Sequence, residues 1–339
     1  MTSVRVSSRI RPMRRIFGTI RPVAAATAIE GLQQPVAILL SAVCFILVAL
    51  QPVVQMHTFG DTGRLARDCG MGFLLVFGIL CSAFTAGSTL AAEIRDGTAA
   101  TALAKPVSRT TFLVGKFLGS CIVVSVFSWC QTWATLLAVR TAEAYVETPT
   151  TASYRRDALC AALSLAVPAI SLGIAALVNA RTRRRFGLWF FVSLSILPLV
   201  AAACLGLFAR DGTWLGFAGW SPGLDARLVP LAIQLFLLLS VFCALATALT
   251  TRLATGPAVA FAFLVLFLGF LADAAAGNGS AGRVLYAFLP DAQHFWTADA
   301  LSRGGSISLG HTLRTALYAA TLSLAILSLG SLSFRRKDL

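Results

Sequence analysis

Charge is what this chain has least of. Asp, Glu, Lys and Arg make up 12% of its 339 residues, against roughly 25% in a soluble domain. Hydrophobic residues are 57% and the mean hydropathy is +0.81. A chain so poor in polar side chains cannot cover its own surface in water, so the composition excludes a soluble globular protein and points to an integral membrane protein. Histidine is also scarce, with three residues. His57, His294 and His311 form no H-E-x-x-H or similar pair, which argues against a metal centre. The eight cysteines are scattered. Seven lie in or beside apolar runs, where cysteine acts as a small hydrophobe; Cys69 has no evident partner, and no disulfide framework is expected. The G-x-x-x-x-G-K-[ST] loop that cradles phosphates is missing too. Val114-Gly115-Lys116 comes nearest, but Phe117 follows and the upstream glycine is lacking. The chain is therefore expected to hydrolyse no nucleotide and to carry no cofactor of its own.

Long apolar runs are what is present. A helix needs about 20 apolar residues to cross a bilayer. Eight such runs lie near 35–56, 71–92, 117–139, 158–180, 186–208, 229–251, 257–275 and 312–333. They are continuous rather than alternating, so they predict helices and not a barrel. The expected fold is an all-α membrane bundle of about eight spans within 35–333. Lys and Arg give the orientation. With the N-terminus taken as cytoplasmic, 18 of the 28 basic residues and four of the 14 acidic residues face inside. The whole net charge of +14 thus falls on one face, which predicts both termini inside. Topology and anionic lipid account for the basic balance. Nucleic-acid binding is not expected, because the charge is spread over separate segments.

Residues 1–12 read as a basic, disordered tail, and residues 334–339 as a basic cytoplasmic tail. The early arginines precede an apolar run that is too long for a signal peptide and begins only near Pro35. Residues 13–34 read as an interfacial amphipathic helix with Ile16, Ile20, Val23 and Ala26 on its apolar face, or more simply as a basic flank. Pro22 disfavours one unbroken helix.

One inside connection differs from the rest: residues 93–116, opening Glu93-Ile94-Arg95-Asp96-Gly97-Thr98. A short helix is expected over Thr98–Ala104. Pro106 then forces a turn at Lys105, and the next helix starts at about Ser108, with Thr110 and Thr111 as alternative caps. A short helix held across the cytoplasmic face between two spans suits docking of a cytoplasmic partner; it does not suit catalysis, since nothing in it resembles a nucleophile–base pair.

The stretch E-I-R-D-G-T followed by K-P-V-S-R-T-x-F-L-x-G-K-F-L resembles the signature of ABC-2-type transporter permeases. I-E-G-L-Q-Q-P before the first span is similar to that family's connecting helix. F-L-P-D-A-Q-H-F-W-T-A-D-A-L (288–301) resembles the stretch before its last span, and S-F-R-R-K-D-L its basic tail. The resemblance implies a permease subunit, an exporter more than an importer, in a bacterial cytoplasmic membrane. It implies a separate cytoplasmic ATPase in two copies, carrying ATP and Mg, and a second permease copy or a related chain. Glu93 and Gly97 would shape the entry to the coupling helix, Thr98 onward its body, and Pro106, Ser108 and Arg109 its exit. The family core has six spans, so the hairpin 158–208 is surplus here.

Other features are weighed against the bilayer. No acid or base sits at mid-depth in a span, which disfavours an ion-driven carrier; Gln131 is the most polar interior group. Trp214, Trp220, Trp296 and Trp189 fall near headgroup level as anchors, and Trp129 and Trp133 share one helix face as packing. Asn278-Gly279-Ser280 matches a glycosylation sequon. Segments Val284–Leu289 and Ala292–Leu301, split by Pro290, are expected as short helices that re-enter the membrane by analogy with relatives. The competing function is a membrane enzyme acting on lipid-linked substrates, for which His294 with Asp291 is the sole candidate pair. A scaffold subunit that retains the coupling segment is the third reading.

Overall fold

The computed structural model describes residues 20–55, 62–95, 108–142, 144–147, 152–276, 291–302 and 305–335. A helix over residues 20–33 (α1) breaks at Gln34 and is followed by α2 (Pro35–Val54), α3 (Thr62–Arg95) and α4 (Arg109–Thr141). A small antiparallel hairpin of β1 (Ala144–Glu147) and β2 (Ala152–Arg155) pairs Ala144 with Arg155 and Glu147 with Ala152. Then come α5 (Ala158–Thr182), α6 (Phe186–Leu205), α7 (Leu228–Leu249), α8 (Thr255–Ala276), α9 (Ala298–Ser302) and α10 (Leu309–Arg335).

Seven of these helices are long and apolar enough to cross a membrane, and a shorter apolar stretch, Thr255–Leu271, lies in α8. Their outward faces are apolar: Leu39, Leu177, Phe267, Leu317 and Leu329 are each more than half exposed. So broad an exposed apolar surface is unfavourable in water and favourable in lipid. The chain is a multi-pass helical membrane protein.

Local chemistry sets the helix ends. Pro35 opens α2, where its missing N–H costs nothing. Ser108 caps α4 by accepting from the Thr111 N–H at 3.1 Å. Asp157 caps α5 by accepting from the Cys160 N–H at 2.8 Å. Arg183, in the left-handed region at φ 54°, ends α5, and Arg183–Arg185 turn the chain into α6. Hydroxyls inside the spans spend their protons on the preceding turn, as Ser82 does on the Gly78 carbonyl and Thr132 on that of Ser128. This leaves few unpaired groups facing lipid.

Helix α4 is the axis of the bundle: it touches α2, α3, α5, α6, α7 and α10. One apolar core gathers Leu74, Val124, Leu235 and Phe242. Another gathers Phe45, Phe127, Phe190 and Leu194. Gln131 is fully buried and donates to the Ser41 carbonyl at 3.0 Å, tying α4 to α2.

The structure corrects several expectations. Helix α3 begins at Thr62 rather than near 71, so Cys69 is helical. Arg64, Arg67 and Asp68 interrupt the apolar run but not the helix, and Arg64 pairs with Asp68 at 3.7 Å one turn on. The β1–β2 hairpin was not expected within an all-α bundle. Ala292–Leu301 is not one helix: Gln293–Phe295 form a 3₁₀ turn, followed by α9. The expected helix over Val284–Leu289 lies outside the described residues, as do residues 1–19, the sequon and the tail 336–339.

The amphipathic segment before α2 also packs differently. Ala24, Thr27, Ala28 and Gly31 are buried while Ala26 is exposed. The buried face lies on α4, not on lipid, because Gly115 and Gly119 let the two backbones approach. A Cβ on Gly119 would stand 2.5 Å from the Thr27 Cβ and 2.7 Å from the Ala24 carbonyl oxygen. Such small-xxx-small spacing is a helix-contact device in membranes. Gly119→Val is expected to push α1 off α4 and to destabilise the protein by about 1–3 kcal/mol, the usual cost of overpacking. A lowered melting temperature in detergent would show it; an unchanged one would place α1 elsewhere.

Candidate functional site

On the basic face, the ends of α1, α3 and α4 meet at one buried lysine. Two turns into α4, Lys116 is 3% exposed. Its Nζ lies 2.8 Å from a Glu93 carboxylate oxygen on α3 and 3.8 Å from one of Glu30 on α1. It also sits 5.8 Å from the Phe112 ring centroid. A buried cation is stable only when paired, and Glu93 is the nearer partner. Glu30 is about half exposed. Burial raises the Glu30 carboxyl above its ordinary value; Lys116 opposes that rise and the neighbouring Glu93 adds to it. The folded state thus keeps this proton at pH values where the unfolded chain has released it. The contribution of Glu30 to stability therefore declines as pH rises from about 4.5 through the raised value.

Aromatic and guanidinium contacts extend the cluster to the far end of the chain. Phe112 stacks on Phe334 of α10 with centroids 6.4 Å apart. Arg109 donates to the Phe334 carbonyl at 3.1 Å and lies 5.9 Å over its ring. Arg252, in the turn between α7 and α8, donates to the Ser333 hydroxyl and carbonyl, both at 3.0 Å. Gln34, at the α1–α2 break, donates to the Ser88 hydroxyl of α3 at 2.6 Å.

Of the expected site residues, Glu93 meets Lys116 directly, Arg109 joins the same cluster through Phe334 and Phe112, and Ser108 serves as the exposed cap of α4. Gly97, Thr98 and Pro106 fall within 96–107, outside the described residues. Sequence reasoning missed the roles of Lys116 and Glu30. It treated Lys116 as a loop charge, although a helix capped at Ser108 already carries that residue two turns inward. Arg140, in the last turn of α4, is likewise buried at 2% exposed.

Arg140 organises the opposite end. Its Nε donates to Asp157 at 2.9 Å, one Nη to the Pro222 carbonyl at 2.5 Å, and the other to Leu205 and Phe208 at 2.9 and 3.0 Å. It fastens the start of α5, the end of α6 and the following loop to α4.

The His294–Asp291 pair does not assemble. An Asp291 carboxylate oxygen accepts from the backbone N–H groups of Gln293 and His294 at 3.0 and 3.3 Å. The His294 ring instead lies 5.0 Å from that of His311 and 6.0 Å from Tyr318. Among the described residues no group of three or more His, Cys, Asp or Glu could hold a metal. Trp129 and Trp133 meet edge to face at 5.8 Å. They line a cleft of about 350 Å³ between α4 and α7 that opens among apolar side chains.

No protein-family model matches the chain, and neither the curated proteins nor the solved structures include a match.

Proposed function

We propose that this chain is the membrane subunit of an ATP-driven transporter of the ABC-2 permease type, an exporter in a bacterial cytoplasmic membrane. In this reading eight spans hold both termini inside, and a second copy or a related chain completes the pathway. The observation that carries the proposal is the Lys116 cluster. Glu30 lies in I-E-G-L-Q-Q-P, Glu93 in E-I-R-D-G-T and Lys116 in the G-K-F-L that closes the long segment. Two of these residues, Glu30 and Glu93, come from stretches far apart in the chain, and both meet Lys116 at one point.

Work enters through residues 96–107. Glu93 sits just before that segment and Ser108 just after it, and the ion pair to Lys116 joins the two sides. A push on the segment by an ATPase dimer closing on ATP and Mg would reach α3, α4, α1 and, through Arg109 and Phe334, α10. Spans packed around α4 would then switch between two arrangements. The bond-breaking chemistry stays in the partner, and this chain supplies the docked lever.

The first test is assembly. The chain, tagged and co-expressed with a candidate ABC ATPase, is expected to copurify with it. Gly97→Pro, aimed at the segment alone, is expected to lose the ATPase while keeping the melting temperature of the wild type. Retention of the ATPase by Gly97→Pro would contradict docking through this segment. No observation favours the enzyme reading, since the Asp291 oxygen that would serve it accepts from backbone N–H groups.

A further inference from the structure

The turn between α5 and α6 gathers positive charge without partners. Arg181, Arg183, Arg184 and Arg185 are all exposed, and among the described residues none of their side chains has a hydrogen bond or an ion pair. Arg109, Lys116 and Arg252, at the same end of the bundle, each have one. Arg181 closes α5, where a cation suits the helix dipole. The other three stand at the opposite pole, immediately before the N-terminus of α6, where the dipole disfavours cations. That helix has no acidic residue in its first turn and no side-chain cap. Three like charges there repel one another and the helix end unless an anion lies among them.

Beside this turn lies a cleft of about 600 Å³ between the α1–α2 break, α5 and α6. Pro35, Leu39, Leu172 and Phe186 line it, and Gln33 is the one polar side chain among its described walls. Phe186 and Gly187 follow Arg185 directly, so the charge and the cleft share an edge. There the start of α6 lies against the end of α1: a Cβ on Gly187 would stand 2.2 Å from the Leu32 carbonyl oxygen. The cleft opens outward at Leu39 and Leu172, which are 62% and 37% exposed and belong to membrane-crossing helices. A soluble anion would answer the charge but not the cleft, and an acidic protein surface would not fill a groove between spans. An anionic lipid answers both.

We infer that this turn and cleft bind one anionic phospholipid, its phosphate against Arg184 and Arg185 and an acyl chain along Leu39 and Leu172. Charge-assisted hydrogen bonds hold the phosphate. The cleft contributes packing and position more than hydrophobic drive, since lipid tails are as apolar as its walls. The inference rests on the bilayer placement above and not on the transport reading, so either can fail alone.

The test uses the full chain in vesicles of equimolar phosphatidylglycerol and phosphatidylcholine, with Leu39 replaced by a benzophenone-bearing amino acid. Irradiation should label phosphatidylglycerol in preference. Arg184→Gln with Arg185→Gln should lower that preference about tenfold, the weight of a charge-assisted hydrogen bond. Arg227→Gln with Arg314→Gln, equal in charge but at the other end of the bundle, should leave it unchanged. Equal labelling of the two lipids by the parent protein would overturn the inference, as would equal loss in both double variants. The same preference from a probe at Leu329, exposed on α10 near the basic end, would also overturn it, because diffuse attraction by that face would then suffice. Glycerol 3-phosphate at millimolar concentration should not abolish the labelling; if it does, the site takes a free phosphate ester and the lipid assignment is wrong. Should the glutamine variant fail to fold, Arg184→Lys with Arg185→Lys must still retain most of the preference, and its loss there would count against a charge-based site.

Discussion

Arg140→Ala is expected to destabilise the protein more than Gly119→Val or any single change in the Lys116 cluster. The side chain satisfies one buried carboxylate and three carbonyls from different parts of the chain. Removing it leaves Asp157 charged, 2% exposed and without its cation. Breaking one side of a buried pair costs about 3–5 kcal/mol. In a protein of this length that corresponds to a melting temperature lower by about 10 °C. Arg140→Lys should fall in between: a lysine keeps the charge but cannot reproduce the planar fork that reaches Pro222, Leu205 and Phe208 together. Arg140→Ala with Asp157→Asn should recover part of the loss, because the stranded charge is gone. Thermal melting of the detergent-purified variants checks all three. Equal stability of Arg140→Ala and the wild type would mean that α5 and α6 are held by apolar packing alone.

The second large effect concerns function more than folding. Lys116→Met should leave two carboxylates, Glu93 and Glu30, facing each other with no cation between them. The platform joining α1, α3 and α4 should then loosen. Stimulation of a bound ATPase is expected to fall at least tenfold, while Lys116→Met combined with Glu93→Gln recovers more than either change alone. The two acids should differ. Glu93→Gln is expected to be severe, because Glu93 sits at 2.8 Å from the lysine. Glu30→Gln should be mild, because Glu30 stands at 3.8 Å and is about half exposed. Measured ATPase rates with each variant distinguish this order from a uniform effect of charge.

Much of the helical frame is legible in the sequence because lipid demands long, continuous apolar runs, and few other patterns produce them. Ser108 is readable as a cap for a similar reason: a short oxygen-bearing side chain stands just before the helix, and Asp157 caps α5 in the same way. The ends of the helices are less legible. Hydropathy marks where a helix leaves the apolar core, not where it stops. Arg64 and Asp68 therefore fall inside α3, and Lys116 and Arg140 inside α4. Those two cations are the anchors of the two polar clusters. Their partners, Glu30, Glu93 and Asp157, come from other elements, and no spacing along the chain announces such meetings. The face of α1 was legible only in part: Val23 packs on α4 as its hydropathy suggests, but Ala26 is exposed and Ala24, Thr27, Ala28 and Gly31, which carry little hydropathy signal, are buried. The β1–β2 hairpin is four residues on each strand, too short for alternation to stand out.

The most direct measurement is ATP hydrolysis by a candidate ABC ATPase that copurifies with this chain, reconstituted with it in lipid, comparing wild type with Glu93→Ala. The account predicts that the wild-type chain changes the rate, and that Glu93→Ala forms the same complex but loses that change. An ATPase that runs at one rate with wild type, with Glu93→Ala and with no permease at all would contradict coupling through the Lys116 cluster.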